Sequence, residues 1–393
     1  MRNTLALTLG LAAAAVCGPA AADLKIGFLA TLSGPSADVG QDQYDGFMLA
    51  VEQMQGKLGG VATRVVREDD QMKPEIAVQS LAKLLDRDKV DVVTGLTYAN
   101  VLMALQGKIA GTDVPFIGSV AGPSPTAGAQ CKPNLFITSW QSDATAEAMG
   151  KYLQDTGVDP VAILAPNFLG SKDKVTGLKR FYRGKIAQET YTPLTQLDFS
   201  AELAATGNSG AKGLFAFFPG SQGVSFVRQY QQFGMLQKLP MYSVHTVEPG
   251  SVNAMGKAGV GAIVAESWQP GADNEESRRF VAAFEKKYKR TPTSYAAFSY
   301  DAAMLIDAAV RARSGDVSDR RALAAALRGA PFKSVRGPFR FNRNNYPVQN
   351  YHIYQVVDGA GGKPAFKVLV PNVLANHEDA YARECALKAD GGA

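Results

Sequence analysis

The amino-acid sequence predicts an α/β protein made of two lobes, each built on a parallel sheet. In the first third of the chain, apolar strands alternate with amphipathic helices in units of about 30 residues, the spacing of a parallel sheet covered by helices on both faces. The same alternation starts again after Ser139. A chain of 393 residues also exceeds one typical core, which favours two lobes.

The first lobe begins with a buried strand and an amphipathic helix. Apolar residues from Tyr44 to Met54 recur at helical spacing on one face, and Gly59-Gly60 ends that helix. Pro74 opens the next helix, at a position where its missing N–H costs nothing. A third helix is predicted over Tyr98–Ala110. The predicted strands are Ile26–Ala30, Val61–Arg67, Val90–Thr94 and Val114–Gly118.

The second lobe repeats this order, and three helices then follow in succession. Its predicted strands are Val161–Ala165, Glu189–Tyr191, Leu214–Phe218, Met241–Val244 and Ile263–Ser267, and its helices cover about 144–154, 172–182 and 224–233. The three later helices, near 275–288, 294–312 and 319–327, do not fit a new strand–helix lobe, so we expect them to return to the first sheet. Tyr351–Val357 and Phe366–Val370 are predicted to form a hairpin.

The N-terminus has the pattern of an export signal. Arg2 supplies a positive charge, Leu5–Val16 is apolar, and Ala20-x-Ala22 is a small-residue cleavage site, so we expect cleavage after Ala22. Cys17 leaves open a lipid anchor, although Val16 suits lipidation poorly. No later stretch approaches the ~18 apolar residues of a membrane helix, so the mature chain is not expected to be membrane-embedded.

Charge and cysteine content limit the partners and the compartment. Loss of the signal removes Arg2 and no acidic residue, so the formal charge falls from +5 to +4. The basic residues are dispersed apart from a run at Lys286–Arg290, which suits a helix end, so no nucleic-acid partner is expected. Cys131 and Cys385 remain, and in an oxidising compartment they predict one disulfide; two separate thiols are the alternative.

Hydroxyls and glycines follow the predicted strands of the first lobe. Ligands of open parallel sheets bind beyond the carboxyl ends of the strands, where Ser33, Thr97 and Ser119 stand. Together with Ala121 and nearby glycines, they suit a neutral site that holds a carboxylate through O–H and N–H donors. Helix caps and turns also favour these residue types, so a purely structural role stays open.

Aromatic side chains occupy the same strand ends. Tyr98, Phe168 and Phe218 are candidate walls of an apolar pocket, with Trp140 near the crossing between lobes. Core packing remains the alternative for Phe218. His245 follows a strand of the second lobe and faces either the cleft or the core.

Catalytic and cofactor motifs are absent from the sequence. Three separated histidines, the lack of HExxH and of Cys/His ligand spacing, and the lack of GxxxxGK[ST] or GxSxG argue against an enzyme, a resident metal or another cofactor. Conversion of a bound ligand by the purified protein would contradict this reading.

Five segments, in order along the mature chain, resemble the leucine/isoleucine/valine-binding family, the type I periplasmic binding proteins of ABC importers. These are Lys25–Gly40 (KIGFLATLSGPSADVG), Val92–Asn100 (VVTGLTYAN), Val114–Ser124 (VPFIGSVAGPS), Phe215–Phe226 (FAFFPGSQGVSF) and Pro292–Leu305 (PTSYAAFSYDAAML). The resemblance implies two Rossmann-like lobes joined by three crossings that close on a ligand, and a membrane permease as partner.

The resemblance also implies roles for individual residues. In the family's amino-acid binders, hydroxyls near the positions of Thr97 and Ser119 hold the ligand carboxylate. An aromatic residue covers the ligand, and Phe168 is similar to it; Phe218-Pro219 matches an aromatic-Pro pair.

One departure from the family pattern affects the ligand. The amino-acid binders pair the ligand ammonium with a Glu, but His245 stands near that position here and Glu248 lies three residues later. A buried ammonium without its acid is costly, whereas a His suits a carboxylate or hydroxyl. The 167–173 stretch, the loop around Cys131 and the Cys385 tail also resemble the branch that binds aromatic carboxylates. We therefore expect a benzoate- or hydroxycinnamate-like acid, with leucine, isoleucine, valine or another apolar amino acid as the alternative.

The sequence thus predicts a periplasmic, monomeric substrate-binding component of an ABC transporter that captures a small carboxylate and delivers it to a permease. A ligand sensor for a membrane regulator is the alternative of another class. The predicted divisions are a signal peptide at 1–22, a first lobe at 23–140 plus 270–345, a second lobe at 141–269 plus 346–372, and a C-terminal tail at 373–393.

Overall fold

The computed structural model describes residues 23–388, so the predicted signal peptide lies outside the described residues. The first lobe contains a six-stranded sheet of order β2-β3-β1-β4-β5-β6, parallel except for the β2–β3 hairpin. Its strands are β1 Leu24–Ala30, β2 Lys57–Leu58, β3 Val61–Asp69, β4 Val92–Gly95, β5 Phe116–Gly118 and β6 Leu135–Ile137.

Helices cover both faces of the first sheet, which explains why its strands are apolar on both sides. Ile26 and Phe28 pack on one face with the helices Ala37–Gln53 and Ser294–Ala312, and Leu29 packs on the other with the helices Pro74–Ala82 and Ala99–Ala110. The helices of this lobe are α1 Ala37–Gln53, α2 Pro74–Ala82, α3 Ala99–Ala110, the one-turn α4 Ser124–Ala127, α10 Glu275–Tyr288, α11 Ser294–Ala312 and α12 Arg320–Gly329.

The second lobe contains an eight-stranded sheet of order β12-β13-β11-β10-β9-β7-β8, with β14 paired to β13. The five strands from β7 to β11 are parallel, and β13 joins β11 in antiparallel register. The strands are β7 Val161–Pro166, β8 Ile186–Thr192, β9 Gly213–Ala216, β10 Met241–Ser243, β11 Ile263–Glu266, β12 Arg340–Phe341, β13 Pro347–Asp358 and β14 Pro364–His377. The helices are α5 Ala144–Thr156, α6 Leu169–Phe181, α7 Ser200–Gly207, α8 Ser221–Gln232 and the one-turn α9 Val252–Met255.

The predicted two-lobe α/β fold is confirmed, including the return of α10–α12 to the first lobe. The chain passes between the lobes three times, in segments 138–143, 267–274 and 330–346, and the last of these contains the short strand β12. Six short elements were missed: the strands β2, β6 and β12, of two or three residues each, the one-turn helices α4 and α9, and α7, which has a weak apolar pattern. The hairpin strands are also longer than predicted, since β14 continues to His377, past the expected start of the tail at 373. Within residues 23–388, no helix is long and apolar enough to cross a membrane.

A buried ion pair ties the crossings together. The Arg336 guanidinium pairs with Asp301 at 3.1 Å and donates to the carbonyl oxygen of Ser139 and to Gln349. Ser139 belongs to the first crossing and Arg336 to the third, so these bonds fix one crossing against another.

Cys131 and Cys385 form a disulfide in the structure. The bond joins the loop before β6, in the first lobe, to the segment that follows β14, in the second lobe.

Candidate functional site

A cavity lies in the cleft between the lobes, beyond the carboxyl ends of strands from both sheets. Its walls are mostly aromatic and small apolar side chains, and no Asp or Glu of the described residues lines it. The two ionisable groups other than tyrosine in its wall are Lys174 and His245. The aromatic side chains are Tyr98, Trp140, Phe168, Phe217 and Tyr295.

The first lobe supplies a wall whose hydroxyls are already hydrogen-bonded. Thr97 lines the cavity, but its O–H donates to Oε1 of Gln43 at 2.7 Å and its oxygen accepts the backbone N–H of Thr31. Ser119 is fully buried behind the cavity, where it donates to the carbonyl oxygen of Gly95 and accepts from Nε2 of Gln43. Each hydroxyl has one proton, so neither has a free donor for a ligand in this structure.

The other first-lobe candidates divide between cavity and surface. Tyr98 and Ala121 line the cavity. Ser33 is exposed beside Asp69 and does not line it. Leu96, directly before Thr97, has φ of +60°, an uncommon conformation for a side chain of this size that positions the start of α3.

Aromatic rings from the second lobe and the first crossing form the opposite wall. Phe168, at the start of α6, meets Tyr98 of the first lobe with ring centroids 5.7 Å apart. Phe217 lines the cavity, whereas Phe218 packs on Phe199 and Phe226 in the core of the second lobe. Phe218 thus takes the alternative of core packing: consecutive side chains at the end of β9 point to opposite faces, and its neighbour Phe217 is the one that faces the cleft.

His245 is buried in the cavity wall and stacks on Trp140, with ring centroids 4.4 Å apart. Its φ of +52° is a strained value for a non-glycine residue, of the kind found at ligand sites. Neither ring nitrogen has a hydrogen-bond partner among the described residues. Burial and the positive charge of Lys174 hold the pKa of His245 well below its usual range, so the ring is neutral.

Lys174, on α6, is a buried cation in the same wall. Its side chain is 3% exposed, and its ammonium donates to the carbonyl oxygen of Ser142 at 3.1 Å and to the hydroxyl of Thr145 at 3.0 Å. It also lies 5.1 Å from the ring centroid of Phe217. Among the described residues, no carboxylate oxygen lies within 4 Å of this ammonium. Burial lowers its pKa to about 8, while surrounding acids at longer range, Glu266 first, favour the charged form.

The sequence reasoning missed Lys174, although the pattern of α6 contained a signal. The buried positions of that helix include Gly170, Ser171, Lys174, Val175 and Leu178. A lysine in register with the buried face of an amphipathic helix marks either a paired ion or a binding site.

A second chamber adjoins the aromatic cavity and shares Val39 and Tyr295 with it. It has a volume of about 210 Å³ and is lined by acids and one cation, including Asp42, Glu248 and Arg290. Arg290 pairs with Asp42, whereas Oε1 of Glu248 has no hydrogen-bond partner among the described residues. Burial raises the pKa of Glu248 well above its usual value.

Direct contacts close the lobes over the cavity. Asp173 of α6 accepts the backbone N–H of Ser124 at 3.0 Å and its hydroxyl at 2.8 Å, so the second lobe caps α4 of the first. Ser221 of the second lobe donates to the carbonyl oxygen of Pro35 in the first. The structure therefore shows a closed arrangement of the two lobes.

Comparison with known proteins agrees with this architecture. Residues 23–363 match the family model described as periplasmic binding protein, so the chain belongs to the periplasmic binding protein family, which places it in the periplasm. The family resemblance seen in the sequence is thereby confirmed.

Individual relatives carry different ligand names. Leu/Ile/Val-binding protein homolog 6 of Brucella melitensis is 23% identical, over 86% of this chain and 89% of the relative. A solute-binding protein of an ABC transporter from R. palustris, solved with benzoate, is 29% identical and has a TM-score of 0.87, over 93% of this chain and 100% of that chain. Another from Rhodopseudomonas palustris, solved with 3,4-dihydroxy benzoic acid, shares the fold with a TM-score of 0.82 at 24% identity, over 89% and 98% of the two chains.

Proposed function

We propose that this protein is the solute receptor of an ABC importer, that it captures an aromatic carboxylate between its lobes, and that it delivers the acid to a membrane permease. The observation that carries the choice of ligand is the buried ammonium of Lys174, which faces an aromatic cavity and has no direct counter-ion within residues 23–388. The likeness to the benzoate-bound solute-binding protein supports the same ligand class.

The cost of burying a charge explains why an anion fits this cavity. Lys174 has three N–H donors, and two of them reach Ser142 and Thr145. A ligand carboxylate would accept from the third and supply the missing negative charge, which is worth more in a buried site than in water. The aromatic rings around it would pack on the ring of the acid.

The same cavity disfavours an amino acid. A zwitterion brings an ammonium together with its carboxylate, and the described residues that line the cavity include a lysine but no carboxylate. The ligand ammonium would then be buried beside the ammonium of Lys174. An unpaired buried charge of this kind costs several kcal/mol.

A branched-chain amino acid remains the second candidate, and Glu248 is the observation that favours it. Its unpartnered carboxyl oxygen lies in the neighbouring chamber, behind Tyr295, which both spaces share. A ligand that crossed from one space to the other could pair its ammonium there. The name of the Brucella melitensis relative points the same way.

Calorimetric titration at pH 7.5 with benzoate, 4-hydroxycinnamate, leucine, isoleucine and valine separates the candidates. We expect binding of at least one aromatic acid and none, or at least 100-fold weaker binding, of the amino acids. Tight binding of leucine with no binding of either aromatic acid would overturn the proposed ligand class.

Ligand capture is proposed to draw on the closed arrangement seen here. Tyr98 and Phe168 cover the cavity from opposite lobes, so a ligand that contacts both stabilises the closed form at the expense of the open one. Small-angle scattering should show a smaller radius of gyration when the ligand is added. An unchanged radius at saturation would rule out closure on the ligand.

Export with cleavage after Ala22 and a monomeric mature protein complete the proposal. Mass spectrometry of the protein from the periplasm would find Asp23 as its first residue, and its native mass would be that of one chain. A lipid-modified Cys17 would contradict the cleavage.

A further inference from the structure

The imidazole of His245 has unused hydrogen-bonding capacity at the ligand cavity. The residue is 3% exposed, and neither Nδ1 nor Nε2 has a partner among the described residues. A neutral imidazole always has one N–H donor and one lone-pair acceptor. Leaving both unused in a buried site costs free energy unless a ligand satisfies them.

Two carboxyl groups lie next to one edge of the ring. Nδ1 is 3.2 Å from Oε2 of Glu266 and 3.5 Å from Oε1 of Glu248. Both carboxyl oxygens thus lie beside Nδ1, although their alignment is not that of a hydrogen bond.

Glu266 is held as a hydrogen-bond acceptor. Its carboxyl group accepts the backbone N–H of Ser267 at 2.7 Å and the hydroxyls of Ser267 and Ser294, each at 3.2 Å. Burial raises the pKa of Glu266 to about 7, and these donors together with Lys174 favour its ionised form. At pH 7.5 the carboxylate therefore favours the proton of His245 on Nδ1, and Nε2 is left with the lone pair.

Lys174 restricts what can approach this lone pair. Its ammonium disfavours a second positive charge in the cavity, so an ammonium on the ligand is a poor donor to Nε2. A neutral hydroxyl donates without bringing charge.

We propose that Nε2 of His245 accepts a hydrogen bond from a ring hydroxyl of the ligand, so that the protein selects hydroxy-substituted aromatic acids over unsubstituted ones. This inference rests on the proposed function, because it assumes an aromatic acid in the cavity. Lys174 then binds the carboxylate, and Nε2 of His245 accepts the hydrogen bond of the ring hydroxyl. The stack on Trp140 holds the imidazole ring in place.

Titration at pH 7.5 of benzoate, the three hydroxybenzoates and the three fluorobenzoates tests the proposal. Fluorine is close to a hydroxyl in size but cannot donate. We expect at least one hydroxybenzoate to bind about tenfold more tightly than both benzoate and its own fluoro analogue, the effect of one satisfied buried hydrogen bond. In the variant His245→Phe, which keeps an aromatic ring on Trp140, the ratio of the hydroxybenzoate affinity to the benzoate affinity should fall about tenfold, to the ratio measured for the fluoro analogue, whatever the absolute affinity of the variant for benzoate.

Nitrogen-15 NMR of the histidine-labelled wild-type complex provides a second readout that needs no variant. The expected signals are a protonated Nδ1 and an unprotonated Nε2 that shifts when hydroxybenzoate replaces benzoate. A protonated Nε2, or equal affinities for the hydroxy-, fluoro- and unsubstituted acids, would overturn the inference. The proposed function would still hold in that case, provided that benzoate binds. If no aromatic acid binds the wild-type protein, the proposed function fails and the inference fails with it.

Discussion

The two walls of the cleft treat their polar groups in opposite ways. In the first lobe, the hydroxyls of Thr97 and Ser119 are joined to Gln43 and to backbone carbonyls, so every hydroxyl proton already has an acceptor. In the second lobe, Lys174 lacks a direct counter-ion and His245 lacks any hydrogen-bond partner among the described residues. The hydroxyls of the first wall are thus satisfied without a ligand, whereas the second wall keeps unsatisfied polar groups.

This difference between the walls predicts that they differ in their effect on ligand selectivity. A wall whose polar groups are already hydrogen-bonded discriminates little between ligands. Buried groups without partners favour a ligand whose own donors and acceptors pair with them, because a ligand that lacks those groups leaves them unpaired. Selectivity should therefore respond most to changes in the second lobe.

The largest expected effect is that of Lys174→Met, which keeps the apolar stem and removes the charge. Binding of an aromatic carboxylate should weaken by about 100-fold, the scale of a buried charge-assisted hydrogen bond. Lys172→Met, on the exposed side of the same helix, is the matched control and should bind normally. Equal affinities of the two variants in calorimetry would place the anion site elsewhere.

The charge state of Lys174 predicts a smaller effect of pH. Its pKa of about 8 means that the free protein loses this positive charge above pH 8, and an anion binds only the charged form. Affinity should fall by about 30-fold between pH 7 and pH 9.5 if the complex keeps its proton. The dependence should be absent in Lys174→Met; a dependence that persists there would assign it to another group.

Substitution of the two neighbouring phenylalanines should show which of them faces the ligand. Phe217→Leu removes an aromatic contact in the cavity and should weaken binding about five- to tenfold. Phe218→Leu alters the core and should lower the free energy of unfolding by about 1–2 kcal/mol with affinity unchanged. Thermal unfolding and calorimetry on both variants check this; the reverse pattern would restore Phe218 as a binding residue.

The smallest expected effect belongs to the first-lobe wall. Thr97→Ala and Ser119→Ala each break bonds to Gln43, so we expect a loss of about 1 kcal/mol in stability but less than a threefold change in affinity. A loss greater than tenfold in affinity would show that Gln43 releases these hydroxyls to the ligand, and the contrast between the walls would be wrong.

Periodicity and strand-end position determined how much of this could be predicted. Alternation of strands and helices is a local signal, so the two lobes and the return of α10–α12 were predictable. The strand-end rule placed Thr97, Tyr98, Ala121, Phe168 and His245 at the cavity. The rule could not decide whether Phe217 or Phe218 faces the cleft, because that depends on the pleat at the end of β9. It also could not show that Gln43, on α1, forms hydrogen bonds with the hydroxyls of Thr97 and Ser119. Lys174 was missed since it lies one turn inside α6, away from the strand end.

The disulfide between Cys131 and Cys385 has a topological consequence for the molecule. Because β14 lies in the second lobe and Cys131 in the first, the eight-residue segment 378–385 makes a fourth, covalently closed link between them. All strands of the second sheet fall between the two cysteines, so the whole of that lobe sits in one closed ring of chain together with β6 and α10–α12 of the first lobe, while β1–β5 lie outside the ring. Oxidation therefore restricts the unfolded second lobe more than the first, and a reductant should shift unfolding from one cooperative transition toward two, with the second lobe losing its structure first.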